Sequence, residues 1–313
     1  LRARPAYRGV PVRPDGLYDL LIDGQVTAQH SLSGGNILMK DAATGTEELL
    51  PGAPATIRFA DLPDRPKPVE IWPPHHEPTE LIALRSDHPM EACPITLPIW
   101  LHHGSSISHG SNALHPTGTW PALAAADADV ELINLGMGGS ALLDPFTART
   151  MRDIPADLIS VKLGINVVNA DLMRLRAFGP ALHGFLDTIR DGHPATPIVV
   201  VSAVYCPIHE HTPGPLAPDF SSGTMAFVAT GDPTETAAGK LTLSVIRQEL
   251  AAIVKHRSTS DPNIHYLDGL TLYGPADFTE FPLPDNLHPS PQAHQLIGRR
   301  FASSIRDILT ARR

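Results

Sequence analysis

The 313-residue chain is short of cysteine, of aromatic residues, of positive charge and of long apolar runs. Its two cysteines, Cys93 and Cys206, cannot build a disulfide framework and lack the spacing of a metal site. Both are expected as free thiols in a reducing compartment, with a single bridge between them left open. Lys and Arg number 24 against 33 Asp and Glu, a net charge of −9. That balance argues against a nucleic-acid partner, which calls for a basic face. No run of about 18 apolar residues occurs, so no transmembrane helix is expected. The opening stretch, LRARPAYRGV, has no apolar core of the signal-peptide kind. A cytoplasmic location is therefore the expectation.

What remains is an ordinary globular composition, 42% hydrophobic and 18% charged, in a chain long enough for two unequal domains. The front part carries short apolar runs, GLYDLLIDG, NILMK, ATIRFADL, KPVEIWP and ELIALR, separated by turn signals such as Pro14-Asp15-Gly16, Asp23-Gly24 and Pro51-Gly52. Strands at that spacing predict a β-sandwich over residues 1–92. A proline-rich linker follows over residues 87–98. Beyond it, buried strands are expected over residues 95–101, 130–135, 158–163, 197–204 and 264–270. Helices are expected over 171–190, over 234–256 and from Pro291 to the end. In the second of these Leu243, Ile246, Leu250 and Ile253 share a face, and Ser290-Pro291 is a good start for the third. Strands alternating with helices imply a doubly wound, five-stranded parallel sheet over residues 93–313, with ligands beyond the carboxyl ends of the strands.

Four loops at that edge carry chemistry. The first is Gly104-Ser105-Ser106-Ile107-Ser108, the second NLGMGGSA, the third Gly164-Ile165-Asn166, and the fourth Asp285-Asn286-Leu287-His288. Each alone reads as a cap, a turn or chance. In order, and all at one edge, they can supply a nucleophile, a base, an orienting carboxylate and oxyanion donors.

This combination resembles the SGNH, or GDSL-like, esterase and acylhydrolase family over residues 95–313. The resemblance implies a flavodoxin-like three-layer fold, here behind a small jelly-roll-like sandwich, and a serine esterase that needs no cofactor or metal. It implies Ser106 as nucleophile, His288 as base and Asp285 as its orienting partner. It places the oxyanion hole at the Ser106 and Gly139 N–H groups and the Asn166 amide. Two departures are plain: Ser105 stands where the family usually has Asp, and Val167 follows Asn166 in place of an Asp. A neutral imidazole suits the activation of a serine hydroxyl near neutral pH.

Other residues have two readings each. His102 and His103 end a strand, and alternation sends one to each face. His109, His115, Trp120, Cys206 and His209 are candidates to contact substrate, against surface or core roles. The His209/His211 pair lacks a third ligand, so no metal is expected. The Pro-, Ser- and Gly-rich stretch 206–233 reads as a flap over the site or a surface excursion. Trp72, His75 and His76 in the front domain are candidates for sugar contact. The expected partner is a small ester: an acetylated sugar or a natural product, with acyl transfer or bare carbohydrate binding as the alternatives.

Overall fold

The computed structural model describes residues 3–8, 14–41, 44–221 and 223–310. The chain divides into two compact units. The first is Leu1–Thr96 with Leu114–Gly118, and the second is Leu97–Ala113 with Thr119–Arg313.

Among its described residues the first unit holds six strands: β1 (Ala3–Tyr7), β2 (Leu17–Ile22), β3 (Gln25–Ser31), β4 (Asn36–Lys40), β5 (Glu47–Leu50) and β6 (Val69–Trp72). They form two three-stranded sheets, ordered β1-β4-β5 and β3-β2-β6. The second is antiparallel throughout, whereas β1 and β4 run parallel. Strand β2 is central, and Tyr18, Leu20, Leu21 and Ile22 are all buried, so both of its faces are covered. Asp19 lies among them, fully buried. It accepts from Gln29 Nε2 (2.8 Å), His115 Nδ1 (2.8 Å), Thr117 N–H (3.0 Å) and Thr117 Oγ1 (2.6 Å). Burial alone would raise its pKa, but these bonds outweigh it and hold the carboxyl below its usual range.

Two of the expected strands did not form. ATIRFADL is bounded by Pro54 and Pro63, which cannot donate to a ladder. ELIALR leaves Leu81, Ile82 and Leu84 largely in solvent and has no face to bury. Trp72 Nε1 donates to Glu70 (3.0 Å), and His75 meets His76 edge to face.

The second unit is the doubly wound sheet. Its strands are β7 (Ile99–Gly104), β8 (Glu131–Gly136), β9 (Leu158–Lys162), β10 (Ile198–Val201) and β13 (Ile264–Leu267), with the hairpin β11 (Leu216–Asp219) and β12 (Ala226–Ala229) lying outside it. All pairs in the main sheet are parallel, in the order β13-β10-β9-β7-β8. This is the flavodoxin order, in which the winding reverses between β7 and β9 and opens a crevice at their carboxyl ends. The central β9 and β10 are wholly buried, and the edge strands less so.

Helices cover both faces. Those that matter here are α1 (Ser106–His109), α2 (Trp120–Ala128), α3 (Pro145–Asp153), α4 (Ile165–Asn169), α5 (Leu175–Gly192) and α6 (Leu243–Arg257). The short α7 (Gly269–Leu272) and α8 (Pro275–Glu280) precede the last, α9 (Pro291–Thr310). On one face Trp100 of β7 stacks on Phe301 of α9 and meets Trp120 of α2. On the other, His103 of β7 stacks on Phe185 of α5.

Several boundaries differ from those read in the sequence, three of them with a clear local cause or consequence. Strand β7 starts after Pro98 and runs on to Gly104, so His102 and His103 lie within it. The helix expected over 234–256 is a 3₁₀ turn, Pro233–Ala238, broken at Gly239 (φ 86°) and restarted as α6, where Thr242 Oγ1 accepts from Val245 N–H. The helix expected from 171 starts at Leu175, after a left-handed Asp171 (φ 45°).

His294 ties the α9 end of this layer. Its Nδ1 accepts from Trp120 N–H (3.2 Å), and its Nε2–H donates to Ser111 O (2.9 Å). Burial drives its pKa down to about 4, so the folded protein holds it neutral. The unfolded chain protonates this residue near 6.5. Stability is therefore complete above pH 6.5 and is lost as pH falls toward 4. The loss from this residue is expected to reach about 3 kcal/mol. Urea unfolding of wild type and His294→Gln between pH 7 and 4 checks this, because the variant lacks that part of the slope.

Candidate active site

The first two loops are built by close approach of backbone to backbone. A Cβ on Gly104 would collide with the Ser108 hydroxyl, and one on Gly136 would lie 2.5 Å from His109 N. Glycine at these positions lets α1 sit directly on the ends of β7 and β8. Ser105, fully buried, caps α1 by accepting from Ile107 N–H (3.3 Å). The serine at the family's usual Asp position thus does a capping job without charge.

A buried relay fixes α1 from below. Trp100 Nε1–H donates to Ser160 Oγ (2.8 Å), Ser160 Oγ is hydrogen-bonded to His102 Nδ1 (2.7 Å), and His102 Nε2 to Ser108 Oγ (2.8 Å). Burial, then the nearby His103 and Lys162, keep His102 neutral. His103 turns to the opposite face, and its Nδ1 donates to Leu135 O (2.8 Å). Both imidazoles are core groups, and neither opens onto the crevice.

Ser106 opens α1, half-buried, and its Oγ lies 2.9 Å from His288 Nε2. His288 Nδ1–H donates to Asp285 Oδ2 (2.7 Å). The other carboxylate oxygen, Oδ1, accepts the backbone N–H groups of Leu287 (3.1 Å) and His288 (2.7 Å). Asn286 supplies the left-handed kink (φ 66°) that folds the loop back on itself. Burial pushes the Asp285 carboxyl up, but the bonds and charge of His288 and the Leu287 N–H outweigh it, so the group stays ionised.

Asn166 is buried in α4, and its Oδ1 accepts from Ala141 N–H (3.1 Å). This leaves the NH₂ without a protein partner among the described residues. In the loop after β8, Met137 N–H donates to Gly104 O (2.8 Å) and Ser140 N–H to Met137 O (3.2 Å). The N–H groups of Gly138 and Gly139 between them are unpaired among the described residues. Gly139 has φ 74° and open space around it, while a Cβ on Gly138 would stand 3.8 Å from Ser106 Cβ. Spacing in the sequence pointed to Gly139; the residue that the structure sets beside the serine is its neighbour Gly138.

A model of the GDSL-like lipase/acylhydrolase family matches residues 103–296. The chain belongs to this family. It is an enzyme of the hydrolase class, with the family's parallel α/β fold behind an all-β front unit. Among solved structures it is similar to the salicylyl-acyltransferase SsfX3 from a tetracycline biosynthetic pathway. Identity there is 27% over 98% of this chain and 77% of that one, with a TM-score of 0.71. It is also similar in fold to a protein from Bacteroides ovatus described as a GDSL-like lipase. That match has 20% identity, 95% and 75% coverage and a TM-score of 0.63. A family two carbohydrate esterase from Clostridium thermocellum, solved with cellohexaose, shares the fold at 13% identity, with 95% and 86% coverage and a TM-score of 0.55. No match was found among curated proteins. No helix among the described residues is long and apolar enough to cross a membrane.

Against this GDSL-like frame, several sequence candidates for substrate contact are corrected. Trp120 is fully buried, packed between Trp100, His102 and Phe301, and is no pocket wall. Cys206 is buried, and its Sγ–H donates to Asn286 O (3.4 Å), so it braces the Asp285–His288 loop from behind. Burial pushes that thiol up to about 12, which removes it as a nucleophile. Cys93 is exposed and also free. His209 is buried and donates through Nδ1 to Thr212 O (3.0 Å), so it is a core residue rather than a substrate contact. No group of three metal-binding side chains exists among the described residues. His109 is the exposed last residue of α1, with Nδ1 donating to Gly136 O (3.0 Å). His115 belongs to the Asp19 cluster of the first unit.

One residue escaped the sequence reading altogether. Phe227 of β12 lies edge-on to the His288 ring, with centroids 5.9 Å apart at 77°. Its N–H donates to Asp285 O (3.0 Å), and its own carbonyl accepts from Asn286 Nδ2 (3.3 Å). The hairpin and the Asp285–His288 loop are therefore clamped together on both sides of Phe227.

Proposed function

We propose that the protein is a serine esterase acting on a small acyl ester through a covalent acyl-enzyme at Ser106. The observation that carries this is the continuous line Ser106–His288–Asp285, with distances of 2.9 and 2.7 Å. His288 Nε2 takes the Ser106 proton as Oγ attacks the carbonyl carbon. Asp285 holds the Nδ1–H tautomer and stabilises the imidazolium that forms. The oxyanion is received by the Ser106 N–H, by Gly139 N–H with Gly138 beside it, and by the free Asn166 NH₂. Donors preset in this way act most strongly on charge that develops in the transition state. His288 then gives its proton to the leaving alcohol. Water, deprotonated by the same imidazole, releases the acid.

A second reading ends the cycle with an organic alcohol in place of water. The 27% identity to a salicylyl-acyltransferase over 98% of this chain supports it. The two share the acyl-enzyme and part only at its discharge.

The test has two stages. A fluorophosphonate is expected to label Ser106, read by peptide mass mapping; failure to label it overturns the catalytic reading in favour of a binding protein on a hydrolase scaffold. Product analysis with p-nitrophenyl acetate, with and without millimolar alcohols, then decides between the two readings. Free acid as the main product supports hydrolysis, and a new ester formed at the expense of acid supports transfer.

A further inference from the structure

We infer that Lys162 is a positioning residue for the reaction, a buried positive charge set under the nucleophile's turn, where it favours the oxyanion that forms at Ser106. This rests on Ser106 as the acyl carrier and His288 as its base.

Lys162 ends the central strand β9 and is only 2% exposed. It stands beside Val201 of β10 and shares a face with Ser160, two residues before it, on which His102 also lies. A Cβ on Gly104, two residues before Ser106, would come within 3.3 Å of Lys162 Cβ. Asn166, with its free NH₂, follows four residues along the chain. Lys162 thus lies where the strand that leads to the nucleophile runs beside the strand that leads to the oxyanion amide.

Its surroundings supply no counter-charge. Among the described residues Lys162 has no ion pair and no hydrogen bond. The titratable groups that face it are His102 from β7, His294 from α9 and Cys206 from the loop after β10, together with Arg247 of α6. Burial keeps both imidazoles and the thiol neutral. Arg247 is a second cation, already paired with Glu210. Asp285 acts on the Cys206 thiol and His288 on the His294 ring, so both neutral groups lie within electrostatic range of the catalytic loop as well. A buried charge without a partner lowers stability, and an apolar side chain would fill this place at no such cost.

The reaction gives the charge a use. When His288 takes the serine proton, the imidazolium is balanced by Asp285 at 2.7 Å. The oxyanion is then the unbalanced charge, and it forms at the Ser106 turn above Lys162. A fixed cation in a low-dielectric interior favours it without reorganisation. Burial, against the opposing pull of the Cys206 thiol, lowers the ammonium to about 8. The charge is therefore present at neutral pH and lost in moderate alkali.

The experiment compares wild type and Lys162→Met on p-nitrophenyl acetate from pH 6 to 10, with the uncatalysed rate subtracted. Wild type is expected to lose about tenfold in kcat/KM through a limb centred at about pH 8, mostly in kcat. The variant is expected to lack that limb and to run at the wild type's alkaline rate throughout. Urea unfolding gives a second readout. The folded value lies below the 10.5 of the unfolded chain, so the burden on stability is full below pH 8 and relieved as pH rises to 10.5. Lys162→Met is therefore expected to be more stable than wild type at pH 7, with the gap closing toward pH 10. A variant that keeps the alkaline limb, or matches wild type in kcat at pH 7, overturns the inference and leaves the catalytic reading intact. A variant less stable than wild type at pH 7 does the same, because it makes Lys162 a structural residue. A wild type that neither turns over the ester nor takes a phosphonate at Ser106 overturns both.

Discussion

Replacement of Ser106 by Ala is expected to cut kcat/KM on p-nitrophenyl acetate by about 10⁴-fold or more, with the melting temperature unchanged. The substitution deletes a single oxygen from a half-buried position. The turn that carries it does not depend on that oxygen. The Ser105 cap, the Gly110 closure of α1 and the Ser108–His102–Ser160 relay all remain. The oxyanion donors also remain, so some rate above water is expected to persist. Equal rates for the two proteins would place the chemistry elsewhere in the molecule.

Asp285→Asn is the second large effect, about 10⁴-fold in kcat by the logic of a misplaced tautomer. Asn retains the shape and can keep one oxygen on the Leu287 and His288 N–H groups, where Oδ1 now accepts both. Its NH₂ would then donate to His288 Nδ1, which can no longer carry the proton there. The imidazole answers by carrying its proton on Nε2, where Ser106 needs an acceptor. The loop is thus expected to stay folded while the base is disabled. Circular dichroism and melting should match wild type, and phosphonate labelling of Ser106 should slow in parallel with kcat. A variant that melts early would instead assign Asp285 a scaffolding role.

Much of this site was legible in the sequence because each block does a backbone job as well as a chemical one. Gly104 and Gly136 mark close approaches, Asp285 and His288 share one tight loop, and Asn166 follows a strand that is buried on both faces. Such constraints leave local marks. The sheet was legible for the same reason: apolar runs at regular spacing admit few arrangements. Phe227 left no mark, since its place beside His288 follows from the pairing of a hairpin some sixty residues upstream. Only the Pro-, Ser- and Gly-rich composition of 206–233 hinted at a covering element. Trp120, by contrast, lay near the serine in sequence and was drawn into the core by Trp100 and Phe301. In the front part, apolar runs such as ELIALR resembled strands but had no surface to bury against. Local pattern cannot report a missing partner.

The Asp19 cluster bears on how this chain can be cut or rebuilt. Leu114–Gly118 comes just after α1 in the sequence yet folds with the first unit, its Thr117 amide and hydroxyl and His115 ring all spent on one carboxylate from β2. The front unit is therefore discontinuous in the sequence, with its last piece inserted between two segments of the second unit. A truncation at the proline-rich linker does not release a module; it leaves five residues folded for a carboxylate that has gone. Swapping front units between relatives would have to exchange that short insert together with the strands that hold it.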